Sequence, residues 1–211
     1  MNVDGDNAIQ LLLLLGSVSL LPALLFCVTS FTRILIVLGF VRSGLGTQTT
    51  PPNQVLVGIA LFLTLFVMGP TVDQVRDRAV APAIAGKIST MEAIERGQEP
   101  LREFMFKQVR SSDLQQFVRL SKIEQPRTRR DVPTRVLIPA FIISELKTAF
   151  QIGFLIFLPF LIIDLVVSAT LMSLGMIMLP PVFISLPFKI LLFVLVDGWA
   201  LITRSLVLSF G

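Results

Sequence analysis

Histidine is absent from the 211 residues, and cysteine occurs once, as Cys27 in the apolar run LLPALLFCVTSF. No disulfide can close within such a chain, and a zinc site built from Cys and His ligands is excluded. A phosphate-cradling GxxxxGK[ST] loop, a GxSxG nucleophile elbow and a cluster with metal-ligand spacing are missing as well. One enzymatic arrangement is left to weigh, an intramembrane acid pair of Asp164 and Asp197. Neither IIDL nor VDGW around them carries a catalytic pattern. The sequence therefore reads as a non-enzyme that needs no cofactor. Charge is also scarce over most of the length. Of 18 basic and 14 acidic side chains, only ten lie outside positions 71–136.

Apolar residues fill the remaining length. They make up 54% of the chain, mean hydropathy is +0.82, and several runs approach the roughly 20 residues that cross a bilayer. The composition is that of a membrane-associated protein. The charge distribution divides it into N-terminal apolar helices at 1–70, a soluble charged insertion at 71–136 and C-terminal apolar helical hairpins at 137–211. The insertion mixes 13 basic with nine acidic residues in stretches such as EAIERGQEPLREFMFKQVR, the pattern of amphipathic helix and solvated loop. No aromatic residue interleaves with the arginines of PRTRRD, so nucleic acid is not an expected partner.

Residues 9–31 suffice for a helix of about 34 Å, a spanning length. Arg33 interrupts the apolar pattern, ILIVLGFV continues it, and RSGLGTQTTPPN reads as a loop. The run Val55 to Gly69, at 15 residues, is short for a span and suggests a re-entrant or protein-shielded helix. After the insertion, Pro139 opens a helix, Pro159 is expected to end or kink it, and the Pro180-Pro181 pair and Pro187 delimit the next. The start, MNVDGDN, is acidic and lacks the basic cluster of a secretory signal, so either no signal exists or the chain starts where one was removed.

Glu145, Lys147, Asp164, Lys189, Asp197 and Arg204 sit in apolar surroundings. An unpaired charge at the bilayer centre costs at least about 2.5–3.5 kcal/mol, so each is expected to face protein, water or an opposite charge. On one straight helix Asp197 and Arg204 fall roughly 80° and 60° around from Lys189, a shared stripe. Lys189 and Asp197 would be about 12 Å apart along the axis, too far to pair, which makes Asp164 the candidate partner of Lys189. Snorkelling of Lys189 and Arg204 to an interface is the plainer alternative.

The stretch GMIMLPP at 175–181 frames two methionines with a glycine and two prolines. Core filler at a helix end is one reading. The other is a deformable apolar constriction, made when several copies bring this loop to a shared axis.

Three stretches carry a resemblance: PPNQVLVGIALFLTLFVMGP, PAFIISELKTAFQIGFLIFLPFLIIDLVVSATLMSLGMIMLPP and ISLPFKILLFVLVDGW. On these the chain closely resembles the FliP family of the flagellar type III export gate, and more distantly its counterparts in virulence secretion systems. The resemblance implies an all-α subunit that forms a pentamer and joins FliQ-type and FliR-type subunits in a helical, cone-like gate. That gate passes unfolded flagellar proteins across the bacterial inner membrane and is raised toward the periplasm within the basal body. It also implies that Met176, Ile177 and Met178 are the methionine gasket, Ile177 being a departure from methionine, and that Glu145, Asp164 and Lys189 make charged contacts between subunits. The rival expectation is an independent transporter of small solutes or ions, with Asp164 and Lys189 as its midplane site.

Overall fold

The computed structural model describes residues 26–176 and 178–211. The predicted helix at 9–31 thus lies outside the described residues except at its end, and so does Ile177. Among the described residues the regular elements are helices: α1 (Phe31–Gly44), α2 (Asn53–Val75), α3 (Thr90–Gln108), α4 (Ser111–Leu120), α5 (Thr134–Ser173), α6 (Pro181–Leu195) and α7 (Gly198–Leu208). The expected all-α class is the observed one.

Helices run past three expected ends, the last of them Pro187, which lies inside α6. α2 runs through Pro70 and continues by a π turn at Arg76–Val80 into Ala81–Ile84. The 15-residue apolar run is thus part of a 32-residue helix long enough to cross a membrane. α5 runs through both Pro139 and Pro159 for 40 residues, about 60 Å. Proline removes one helical hydrogen bond, but apolar packing on both sides of it keeps the helix going. Phe160, next to Pro159, is buried against α1, and Leu137 and Phe141 are buried around Pro139.

α1 is the central element. Ile34, Val37, Leu38 and Val41 are fully or almost fully buried, in a cluster shared with Leu56 and Ala60 of α2, Ala149 and Phe160 of α5, Phe193 of α6 and Leu206 of α7. α1 and α5 approach closely through reciprocal glycines. A Cβ on Gly44 would lie 2.7 Å from the Phe160 ring, and one on Gly153 would lie 2.4 Å from the Phe40 ring. Each glycine is a socket for the other helix's phenylalanine, the small-residue solution for packing apolar helices. A second cluster joins α3 to α2 and α5 through Met68, Phe104, Met105, Val136, Leu137 and Phe141. Phe210 packs against both clusters.

A buried cation holds that junction. The Arg33 side chain is 2% exposed and that of Glu145 0%. Nε of Arg33 donates to Glu145 Oε2 at 2.8 Å and Nη2 to Oε1, a two-point fork. Nη2 also donates to Gln108 Oε1 at 3.0 Å, and Nη1 donates to the Ser209 carbonyl at 2.8 Å. The guanidinium carbon lies 3.9 Å from the centre of the Phe210 ring. One side chain therefore ties α1 to α5, to the end of α3 and to the residues after α7.

A second clamp docks α4 on α5. Asp113, buried on α4, accepts from Ser144 Oγ at 2.8 Å and from Lys147 Nζ. Ser144 Oγ in turn accepts the Arg110 backbone N–H at 3.0 Å. Burial pushes the Asp113 carboxyl up, but the hydrogen bonds from Lys147 and Ser144 and the charges of Lys147 and Arg110 outweigh it, and the group sits below the ordinary aspartate range.

Two outcomes follow from these clamps. Arg33→Leu and Glu145→Leu are each expected to lower the unfolding free energy in detergent by about 3–5 kcal/mol, because each strands the other charge. The double change costs clearly less than the sum of the two, and additive losses would show that the charges do not interact. Because the folded pKa of Asp113 is lowered, its contribution is complete above the unfolded value and is lost as pH falls through the folded one. Hydrogen exchange in 111–120 is therefore expected to stay slow in mild acid and to rise only below about pH 3.9. Asp113→Asn should exchange fast there already at neutral pH.

Candidate functional site

α5 and α6 form a hairpin whose closed end is the methionine segment. The end of α5 is fixed by two paired bonds: Met176 N–H donates to the Leu171 carbonyl at 2.9 Å and Gly175 N–H to that of Met172 at 3.0 Å. This pattern needs a left-handed residue, and Gly175 supplies it with φ 76°. Pro180 then precedes α6, and Pro181 takes its first position, where a missing N–H costs nothing. Glycine and the two prolines thus set the turn locally.

The turn displays apolar surface. Met178 is 98% exposed and Met176 42%. Met172, Leu174, Phe183 and, further down α5, Ile162, Leu165 and Val166 are also exposed. Burying one such side chain yields about 1.5–3 kcal/mol, and a contiguous apolar surface of this kind marks a place where another polypeptide or lipid sits.

At the base of the hairpin lies the ionic seat expected from the sequence. Lys189 Nζ donates to Asp164 Oδ2 and Ser185 Oγ to Asp164 Oδ1, both at 2.6 Å. The Lys189 side chain is 3% exposed and that of Asp164 29%. Lys189 is therefore paired within the chain and does not snorkel. The common stripe with Asp197 and Arg204 does not form. α6 ends at Leu195, the chain turns by 64°, and Asp197 adopts a left-handed conformation (φ 49°) ahead of α7. Gly198 follows because the Phe193 ring occupies the space a Cβ would need, 2.3 Å away.

The structure thus brings Asp164 and Lys189 together and leaves Glu145 apart, 19 residues or about 28 Å back along α5. The partners of Glu145, Arg33 with Gln108, Ser209 and Phe210 around it, were not identified from the sequence. A lone arginine in an apolar run was the available signal. Among the described residues no group of Cys, Asp and Glu is placed to hold a metal. Two described serines have a lysine and an aspartate beside them, Ser144 and Ser185; both are fully buried and spend their hydroxyl protons on Asp113 and Asp164. These polar groups clamp helices together.

The FliP family model matches residues 14–206. The flagellar biosynthetic protein FliP of Bacillus subtilis is 57% identical over 205 residues, spanning 97% of this chain and 93% of that protein. The protein of the same name in Pectobacterium carotovorum is 59% identical over 203 residues, 96% of this chain and 79% of its own length. The Caulobacter vibrioides protein of that name is 53% identical over 205 residues, 97% and 77% of the two chains. With a match across nearly its whole length and most of the relatives' own, the chain belongs to the FliP family.

Proposed function

We propose that the chain is a structural and gating subunit of the flagellar type III protein export channel, letting unfolded flagellar proteins cross the inner membrane of the bacterium. The observation that carries the gating role is the tip, where Met178 is 98% exposed on a hairpin whose backbone turn is fixed by Gly175, Pro180 and Pro181. Such a surface is stable only when covered. Copies arranged about an axis would cover one another's hairpins and bring Met176, Ile177 and Met178 together as an apolar constriction, which blocks water and ions by dewetting. A pentamer with FliQ-type and FliR-type subunits, set in the basal body and raised toward the periplasm, fits this need. The helices at 1–70 and 137–211 would then pack in the ring, with the insertion at 71–136 as its outer collar. Family membership and the relatives' name, flagellar biosynthetic protein, support export over the small-solute transporter.

Glu145, Asp164 and Lys189 enter as shape-setting groups for the subunit contacts. Each is held by a partner in its own chain, and the part-exposed carboxylate of Asp164 is the one able to accept a further bond from a neighbour.

Changing Met176 and Met178 to alanine is expected to leave the ring mass intact in native mass spectrometry and to raise ion leakage across planar bilayers. Unchanged conductance would remove the sealing role, and a wild-type chain that stays monomeric in mild detergent would remove the ring. Lys189→Gln should reduce ring assembly, and the exchanged pair Lys189→Asp with Asp164→Lys should recover part of it. A failure to recover would show that position-specific contacts, and not the pair itself, carry the assembly.

A further inference from the structure

Beside the ionic seat is a polar cavity of about 410 Å³, set where the hairpin leaves the body. Arg42 and Ser43 from the end of α1, Thr47 and Gln48 from the loop to α2, and Asp164 and Lys189 line it. Its floor is Gly46, where φ is 77° and a Cβ would lie 3.7 Å from Lys189 Nζ and 3.8 Å from Val182. Charge inside the cavity does not balance. Lys189 and Asp164 neutralise each other. Arg42 donates from Nη1 to Asn53 Oδ1 and to the Pro51 carbonyl, which are neutral, and among the described residues it has no carboxylate within ion-pair distance. One positive charge is thus left at the cavity with the Ser43 hydroxyl and the Gln48 amide beside it, while the Thr47 hydroxyl spends its proton on the Thr50 carbonyl. The rim on α6 is apolar: Val182, which is exposed, lines the cavity, and Leu186, one turn on, joins it beside Gly46, each 3.8 Å from where a Cβ would stand.

We propose that this cavity binds the phosphate of an anionic phospholipid, its headgroup on Arg42, Ser43 and Gln48 and its acyl chains along the apolar rim. The monoanion matches the single uncompensated cation, and the hydroxyl and amide groups supply donors to its oxygens. A soluble anion would use the same polar groups but would leave the rim uncovered. The amphiphile satisfies both parts of the site, and a basic pocket between apolar helices is a recurring headgroup seat.

The test is retention of lipid by the purified full chain in mild detergent, counted per chain by native mass spectrometry after mixing with phosphatidylglycerol or phosphatidylcholine. Phosphatidylglycerol should be retained preferentially. Arg42→Gln, which removes the cation, and Gln48→Glu, which adds an opposing charge on an exposed residue, should each lower that retention about fivefold. Thr49→Glu makes the same net change one residue away, outside the cavity lining, and should have little effect. Equal retention of the two lipids would overturn the proposal, as would equal losses from Gln48→Glu and Thr49→Glu. Arg42-dependent binding of inorganic phosphate without retention of phosphatidylglycerol would assign the cavity to a soluble anion and overturn the lipid.

Discussion

The fold depends on one desolvated guanidinium. Arg33 lies inside an apolar helix core, where a charge persists only if its donors are matched. Glu145 supplies the counter-charge, Gln108 and the Ser209 carbonyl take the remaining donors, and the Phe210 ring covers one face. Those partners come from three distant parts of the chain, so the charge cannot be satisfied by local structure. Hydrophobic burial would accept many sliding arrangements of α1 against α5. The fork to Glu145 accepts one, and the glycine sockets at Gly44 and Gly153 agree with it.

That constraint divides the molecule mechanically. Around Arg33 the helices share two apolar clusters, and the insertion helices are fastened to them, α3 by Gln108 to Arg33 of α1 and α4 by Asp113 to Ser144 and Lys147 of α5. Past Asp164 and Lys189, α5 continues for nine residues to its end at Ser173, about 14 Å, with most of its surface uncovered. The ion pair at the hairpin base ties α5 to α6 where they leave the body. A firm body then carries an apolar arm whose stability has to come from outside the single chain.

Much of this was legible from a single rule, that charges in apolar helices need partners. The rule found the Asp164–Lys189 pair, and glycine and proline chemistry found the tip. It did not find Arg33 with Glu145, because 112 residues separate them and no periodicity links positions so far apart. The prolines were over-read as helix ends, since their cost is set by a lost bond while the surrounding packing is invisible in sequence. The stripe through Lys189, Asp197 and Arg204 failed for a reason that was visible. Asp197-Gly198 is a turn dipeptide, and treating the segment as one helix ignored it.

The contrast between backbone and side chains at the tip bears on how a proposed seal would work. Gly175 in a left-handed conformation and the Pro180-Pro181 pair remove backbone freedom from the turn. Methionine has three easily rearranged torsions and a polarizable sulfur, so the remaining freedom sits in the side chains. An aperture built this way deforms by rotamer changes, which take picoseconds to nanoseconds when exposed, and it needs no refolding of the hairpin to close behind a passing chain. A rigid aromatic tip would seal as well at rest but would have fewer ways to fit a changing occupant. In such a seal the β-branched Ile177 would lower that compliance at one of the three positions and leave the adaptive role to Met176 and Met178.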